Sequence, residues 1–179
     1  GLMKVPGQLR PATVRLIALP DDERNALNRI VLMQGRMPDP NRAGEAVALK
    51  TFLDAAKIRL GDSLTMTIGG RQFTVRVVGS VLSAEFAYLP GPASQMPDDA
   101  HQAVLWAPRL VVERVTGLGG AFSSVSLTLA QGVSTARVLA EVDRILAPYG
   151  GQPAIGRKDQ VSNQFQQEHI DQRGEMQVT

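Results

Sequence analysis

The sequence predicts a mixed α+β fold, and three features carry that expectation. Leu64, Met66 and Ile68 alternate with Thr65 and Thr67, and Phe73, Val75 and Val77 alternate with Thr74 and Arg76; period-two alternation marks half-buried strands. Gly69-Gly70 stands between the two runs, and paired glycines reach the positive φ angles of a two-residue hairpin turn. Further on, Val138, Leu139, Val142, Ile145 and Leu146 share one side of a helix that Ser134 can cap, with strand-like residues before and after it. A hairpin-rich part and a β-α-β unit near the C-terminus are both expected.

From the N-terminus, residues 2–19 read as two short extended pieces around Pro6-Gly7, with Val14, Leu16 and Ala18 on one face of the second. Pro20-Asp21-Asp22 then starts a short helix, because an acidic residue beside a proline is a helix-start signal and Leu27, Ile30 and Val31 share a helical face. Residues 45–60, rich in Ala, Leu and Lys, read on propensity alone as one helix. Gly61-Asp62 is a turn that delivers the chain into the first hairpin strand. Residues 83–101 hold three prolines and no sustained periodicity, so they form a loop, long enough to suggest a role or mobility.

Pro108 opens a short helix with Val111, Val112 and Val115 on one face, closed by the cluster Gly117, Gly119 and Gly120. That cluster reads as a hinge or lobe boundary. Val125, Leu127 and Leu129 alternate with Ser124, Ser126 and Thr128 to give a strand, Gln131-Gly132 turns, and the capped helix runs to Pro148-Tyr149-Gly150-Gly151. Residues 153–156 form the next strand, with a right-handed crossover if the two strands are parallel. Beyond Arg157 the chain is polar, and Val161 and Phe165 mark one weak helical face. No internal repeat or low-complexity tract is present.

The 179 residues fit one domain of ordinary size, or two small lobes sharing a core. Hydrophobic residues make up 44%, but aromatics only 4%, so Val, Leu, Ile, Ala and Met must build the core and no aromatic platform for stacking bases is visible. The formal charge is +2 and the basic residues are scattered, which argues against nucleic acid as a partner. With no cysteine, a disulfide framework, a thiolate nucleophile and Cys-ligated zinc are all excluded; the compartment stays open on that ground. No run approaches the ~20 apolar residues of a membrane span, and the opening residues lack the pattern of a signal peptide.

Several residues invite a chemical reading. Gly61-Asp62-Ser63-Leu64 spells the GDSL signature of a family of serine esterases, and Asp98 and His101 have the spacing that such enzymes use for the rest of the triad. A nucleophilic Ser needs a strand-to-helix turn beside oxyanion donors, whereas Ser63 enters an alternating strand and no Gly-x-Asn-Asp follows it before Asp98. A structural turn is favoured over a nucleophile. Asp98, Asp99 and His101 offer metal-ligating groups without an evident third or fourth partner, so a solvated acidic loop with a helix-capping Asp is favoured. His169, between Glu168 and Asp171, reads as a surface imidazole. Glu85 beside Phe86 and Tyr88 reads as a loop-edge carboxylate. The glycines at 117–120 and 150–151 lack the Lys-Ser or Lys-Thr of a phosphate loop. No catalytic, cofactor-binding or metal-binding residue is assigned, and no cofactor is expected.

The order of pieces between Gly35 and Gly79 carries a resemblance. A Gly35-Arg36-x-Pro38 opening, Glu45-Ala46-Val47, Leu60-Gly61-Asp62, the glycine hairpin and a closing Val77-Val78-Gly79 follow one another. Further anchors are residues 84–91 with 96–99, Leu105-Trp106, Ala121-Phe122, 148–151 and 156–162. In this order the chain, over nearly its whole length, resembles the extracytoplasmic (periplasmic core) domain of FtsX-like, MacB-type permeases of ABC transporters.

The resemblance implies a strand at residues 45–49 followed by a helix at 51–57, and a two-lobed body. Lobe A would comprise residues 1–30 with 121–168, lobe B the inserted residues 31–120, and residues 169–179 a polar tail leading toward a membrane helix of the parent. It implies no catalysis in this chain, a location at the periplasmic face of the bacterial inner membrane, and coupling of ATP-driven helix movement to export or extraction of a substrate or to a periplasmic partner. The implied partners are the parent's membrane helices, an ABC ATPase subunit, a periplasmic adaptor or lipoprotein, and a second permease copy. The alternatives are a GDSL-type serine esterase using Ser63 and a free-standing extracytoplasmic binding module.

Overall fold

The computed structural model describes residues 1–21, 27–87, 89 and 97–160. Among these residues, seven strands and three α-helices follow in chain order: β1 Leu2–Met3, β2 Ala12–Ala18, β3 Ile30–Gly35, β4 Glu45–Leu49, α1 Lys50–Ala56, β5 Ser63–Ile68, β6 Arg71–Ser83, β7 Gln102–Ala107, α2 Arg109–Thr116 and α3 Thr135–Leu146. The fold is mixed α+β, as the sequence predicts.

The hairpin forms where the alternation places it. Gly69 and Gly70 both take positive φ, 56° and 76°, as a type I′ turn requires at its two central positions. Leu64, Met66, Val75 and Val77 are buried, while Thr65 and Thr74, opposite one another in the antiparallel register, join their hydroxyls at 2.9 Å. Such cross-strand pairs are what stabilise a sheet locally.

Strand β6 is thirteen residues long, and its length closes the sheet. The strands follow in the order β3-β6-β4-β7-β2-β1-β5, and β5 pairs again with β6. Six strands thus form a closed, barrel-like ring with no free edge between them, and β3 lies outside it. Arg76 is opposite Ser63 of β5 and Glu45 of β4, so these two strands occupy the two edges of β6. Beyond Gly79 the edge that β5 leaves is taken up by β3. The ladders β2–β7 and β4–β6 are parallel and the others antiparallel.

Residues 45–60 resolve into strand then helix. All five residues of β4 are buried, and a strand covered on both faces shows a continuous apolar run instead of alternation; composition alone therefore resembles a helix. α1 packs on the 3-10 turn Asp99–His101 and on β4, β6 and β7, and its buried residues are Phe52 and Leu53. It ends at Lys57, left-handed with φ 56°. α2 forms at Arg109–Thr116, as expected after Pro108, and packs against β2.

Three expectations are corrected, and one strand carries no signal in the sequence. Ile30 and Val31, read as part of a helical face, begin β3 instead; β-branched residues suit a pleated surface, and the ladder to β6 outweighs local periodicity. Residues 22–26 of that expected helix lie outside the described ones. β7, which no alternation marks, is a central strand whose Ala103-Val104-Leu105-Trp106 run is buried. Residues 125–129 and 153–156, expected as strands, have no ladder partner. The start of the chain, expected beside residues 121–168, pairs through β1 and β2 with β5 and β7 and so belongs to the same sheet as the middle of the chain.

The chain divides into two compact units, Gly1–Ser124 and the residues from Val125 on. In the second, Ser134 accepts a hydrogen bond from the Arg137 amide at 3.4 Å and caps α3. Val161, Phe165, His169 and the tail 169–179 lie outside the described residues.

Candidate functional site

The signature residues meet at one place, the middle of β6. The Arg76 amide donates to the Gly44 carbonyl at 2.6 Å, just ahead of Glu45. The Val77 amide donates to the Asp62 carbonyl at 2.9 Å, and the Gly61 amide returns a bond to the Val77 carbonyl at 2.7 Å. The Arg36 amide donates to the Val78 carbonyl at 3.0 Å, and Gly35 stands opposite Gly79 in the ladder. Four stretches separated in sequence are thereby knitted through backbone groups of residues 76–79.

Both glycines of that facing pair are required by space. A Cβ on Gly35, whose φ is +77°, would strike the Val78 carbonyl oxygen and lie 2.9 Å from the Gly79 Cα. A Cβ on Gly79 would strike the Arg36 carbonyl oxygen and lie 3.0 Å from the Val47 Cγ1. Backbone oxygens cannot rotate aside as a side chain can, so β3 and β6 approach closely only without side chains here.

A charged clamp sits beside the glycines. The Arg36 guanidinium donates to both carboxylate oxygens of Glu45, Nη1 to Oε2 at 2.7 Å and Nη2 to Oε1 at 2.5 Å, the two-pronged geometry that suits arginine and carboxylate. The Asp39 amide adds a bond to Glu45 Oε2 at 3.1 Å, and Arg42 Nη1 lies 3.9 Å from Oε1. Asp39 in turn accepts from the Asn41 amide at 2.9 Å, so the loop from Arg36 to Gly44 folds back onto Glu45. Pro38, within it, is buried.

The Arg36 pair, then the Asp39 amide, hold the Glu45 carboxyl down from its ordinary 4.5 to about 2. A carboxyl held low when folded stabilises the fold above its unfolded pKa and loses that contribution as pH falls through the folded one. The clamp's contribution should therefore be full above pH ~4.5 and gone near pH ~2. Denaturant titrations across that window should show a smaller acid-induced loss for Glu45→Gln than for the natural chain.

The other candidate residues are placed apart. Ser63 opens β5, exposed, and lines a pocket of about 620 Å³ with Pro6, Gln8, Lys57 and Asp62 among others. The Asp62 carboxylate accepts the Arg59 amide at 2.8 Å, which fixes the turn. Asp98 does not cap the following 3-10 turn; its carboxylate pairs with His101 Nδ1 at 2.7 Å, ahead of β7. β5 and β7 stand on opposite sides of the six-stranded ring, and among the described residues no hydrogen bond joins Ser63 to His101.

Burial, then the neighbouring Asp98 charge, raises the Asp99 carboxyl above its ordinary value. No three His, Cys, Asp or Glu among the described residues gather as a metal site. Glu85 is exposed and accepts from Asn28 Nδ2 at 3.0 Å. Its neighbour Phe86 is buried edge-on to Trp106, ring centres 5.7 Å apart, with the Arg15 guanidinium 5.3 Å from the Phe86 ring. Tyr88 lies outside the described residues. Gly117 and Gly150 end helical turns in left-handed conformation.

One apolar surface remains on the ribbon of β3 and β6. Val31, Leu32 and Met33 are exposed on β3, and Leu82, opposite Val31, is exposed on β6. The register shifts between Leu32 and Gln34, so Met33 is bulged. The clamp and this ribbon were missed from sequence. Arg36 and Glu45 stand nine residues apart with no local spacing rule to link them, and the ribbon reads as a helix face until its ladder is seen.

Comparison with known proteins gives no match to a family model and none to a curated protein. No helix of the described residues is long and apolar enough to cross a membrane.

Proposed function

We propose that this chain is the extracytoplasmic domain of an FtsX-like, MacB-type permease subunit of an ABC transporter, at the periplasmic face of a bacterial inner membrane. In this reading the chain catalyses nothing. It couples ATP-driven movement of the parent's membrane helices to export or extraction of a substrate, or to a periplasmic adaptor or lipoprotein. The ATPase is a separate subunit or domain, and a second permease copy completes the assembly.

One observation supports this reading above the others: of the motifs whose order carries the resemblance, those at Gly35-Arg36, just ahead of Glu45 and at Gly61-Asp62 are bonded to residues 76–79. They hold strands together, and none of them presents a nucleophile, a base and an oxyanion donor to a common point. A part that transmits movement needs rigid bodies joined at bends, and a closed ring tied by a charged clamp is such a body. In this reading the barrel, built from the inserted residues together with β1 and β2, is one such body, and the unit from Val125 on belongs to another. The exposed Val31 and Leu82, opposite one another on the ribbon of β3 and β6, are the surface offered to a partner, since adjoining exposed apolar groups mark interaction sites.

The test is made on the intact reading frame. Apolar spans of about 20 residues on both sides of this segment, with accessibility mapping that puts the segment outside the cytoplasm, are expected. Their absence would favour the free-standing module. Esterase activity on short-chain esters that disappears in Ser63→Ala would replace the permease reading with the hydrolase.

A further inference from the structure

The pocket beside Ser63 has no part in the tie around the middle of β6. Its volume of about 620 Å³ falls within the range of small-molecule sites, which combine an apolar wall with a few polar groups. Pro6, Ala56, Ile58 and Leu64 supply the apolar wall, and Gln8, Lys57, Asp62 and Ser63 supply the polar groups. The β1–β2 loop, the end of α1 and the start of β5 each bring part of this lining.

Lys57 stands there at a conformational cost. It closes α1 with φ 56° and ψ 35°, the left-handed position that glycine usually fills after a helix and in which a residue with a Cβ is strained. Strain of this kind collects where a side chain has a task. A second cation adjoins the pocket. Arg76 is opposite Ser63 in the ladder, so the two side chains share a face, and its Nη2 lies 3.8 Å from where a Cβ on Gly61 would be, which brings the guanidinium back to the Asp62–Ser63 turn. Among the described residues, no hydrogen bond or ion pair engages the side chains of Lys57, Ser63 or Arg76. Among the described lining residues Asp62 is the one carboxylate, and its Oδ2 already accepts the Arg59 amide. The Gln8 Oε1 is buried without a partner, so no bond there fixes the amide, and its NH2 end can turn to a bound acceptor.

We propose that this pocket binds a small monocarboxylate with a compact apolar body, aryl or branched. Lys57 and Arg76 against Asp62 leave one positive charge, which a single carboxylate balances and a dianionic phosphate would exceed. The carboxylate takes donors from Lys57, Arg76 and Ser63, and the apolar body lies on Pro6, Ile58 and Leu64, where the small Ala55 and Ala56 leave it room. The inference uses only the barrel unit and does not rest on the permease reading.

Phenylacetate titrated into the full chain, followed by amide chemical shifts, tests it. Saturable shifts are expected at residues 7–8, 55–58 and 62–64. Phenylacetamide, the neutral isostere, should bind about tenfold more weakly or worse, because the charge-assisted bonds are lost. Lys57→Gly should melt at a higher temperature than the natural chain, since the strain is relieved, and yet bind phenylacetate about tenfold more weakly; a gain in stability with a loss of binding separates the pocket's role from that of the fold. Arg76→Met, which keeps the stem and removes the guanidinium, should weaken binding likewise. No saturable shift, shifts centred away from the pocket, equal binding of the amide, or full affinity in both variants each overturns the proposal.

Discussion

Gly79→Ala is expected to lower the unfolding free energy by about 3 kcal/mol, read as a drop in the denaturant midpoint at unchanged slope. The added methyl has nowhere to go. It would strike the Arg36 carbonyl oxygen and crowd the Val47 Cγ1 and the Gln34 carbonyl oxygen at 3.0 and 3.1 Å, and two of these three are backbone atoms. Relief comes only by moving β3 away from β6. That movement breaks the Arg36 amide bond to Val78 and carries Arg36 off Glu45, so the cost exceeds that of an overpacked side chain alone. Gly119→Ala is the control: nothing lies within 4 Å of its added methyl, and a change within ~0.5 kcal/mol is expected there.

Phe52→Ala is the second large effect, a loss of about 3–5 kcal/mol. Phe52 is fully buried, and with Leu53 it forms the buried side of a helix only seven residues long. A helix of that length is not stable by itself in water, so α1 exists because those two side chains bind it to β4, β6 and β7. Removing the ring leaves a cavity and most of the reason for the helix. The expected signature is a lower unfolding midpoint, with faster hydrogen exchange at α1 amides than elsewhere in the barrel. Lys50→Ala, which removes an exposed pair to Asp54 along the same helix, should cost only ~0.2–0.5 kcal/mol.

What the sequence made legible follows from which forces act locally. The glycine hairpin, the α2 and α3 helices and the Ser134 cap were readable because turn geometry, helical periodicity and capping all act within a few residues. The strand-then-helix division at Leu49 was not readable from periodicity; there the order of motifs succeeded where propensity pointed to a single helix. β3 and β7 were illegible for two reasons. β7 is buried on both faces and so does not alternate, and β3 lies outside the ring with both faces exposed, so its apolar spacing mimics a helix. Residues 125–129 do alternate, yet they form no ladder within the chain. Alternation reports a wish for burial on one face, and does not say which strand will provide it.

The site was legible as a list and illegible as an arrangement. Gly35, Arg36, Glu45, Gly61, Asp62 and Gly79 all stand in the motifs that carry the resemblance, but nothing in their spacing brings them to one stretch of β6. Ring closure through β5 and β6 does that. The same closure sets β5 and β7 on opposite sides of the ring, and the turn ahead of Ser63 is fixed by the Asp62 carboxylate, which accepts the Arg59 amide.

The signature residues between Gly35 and Gly79 build a rigid tie around the middle of β6. Native-state amide hydrogen exchange tests it most directly, at the Arg36, Gly61, Arg76 and Val77 amides that make the four bonds around the middle of β6. These amides should exchange only with global unfolding of the barrel, as slowly as those of buried β4 and β7, and Gly79→Ala should accelerate all four together. Exchange at these positions as fast as in exposed turns, while β4 and β7 remain protected, would contradict the account.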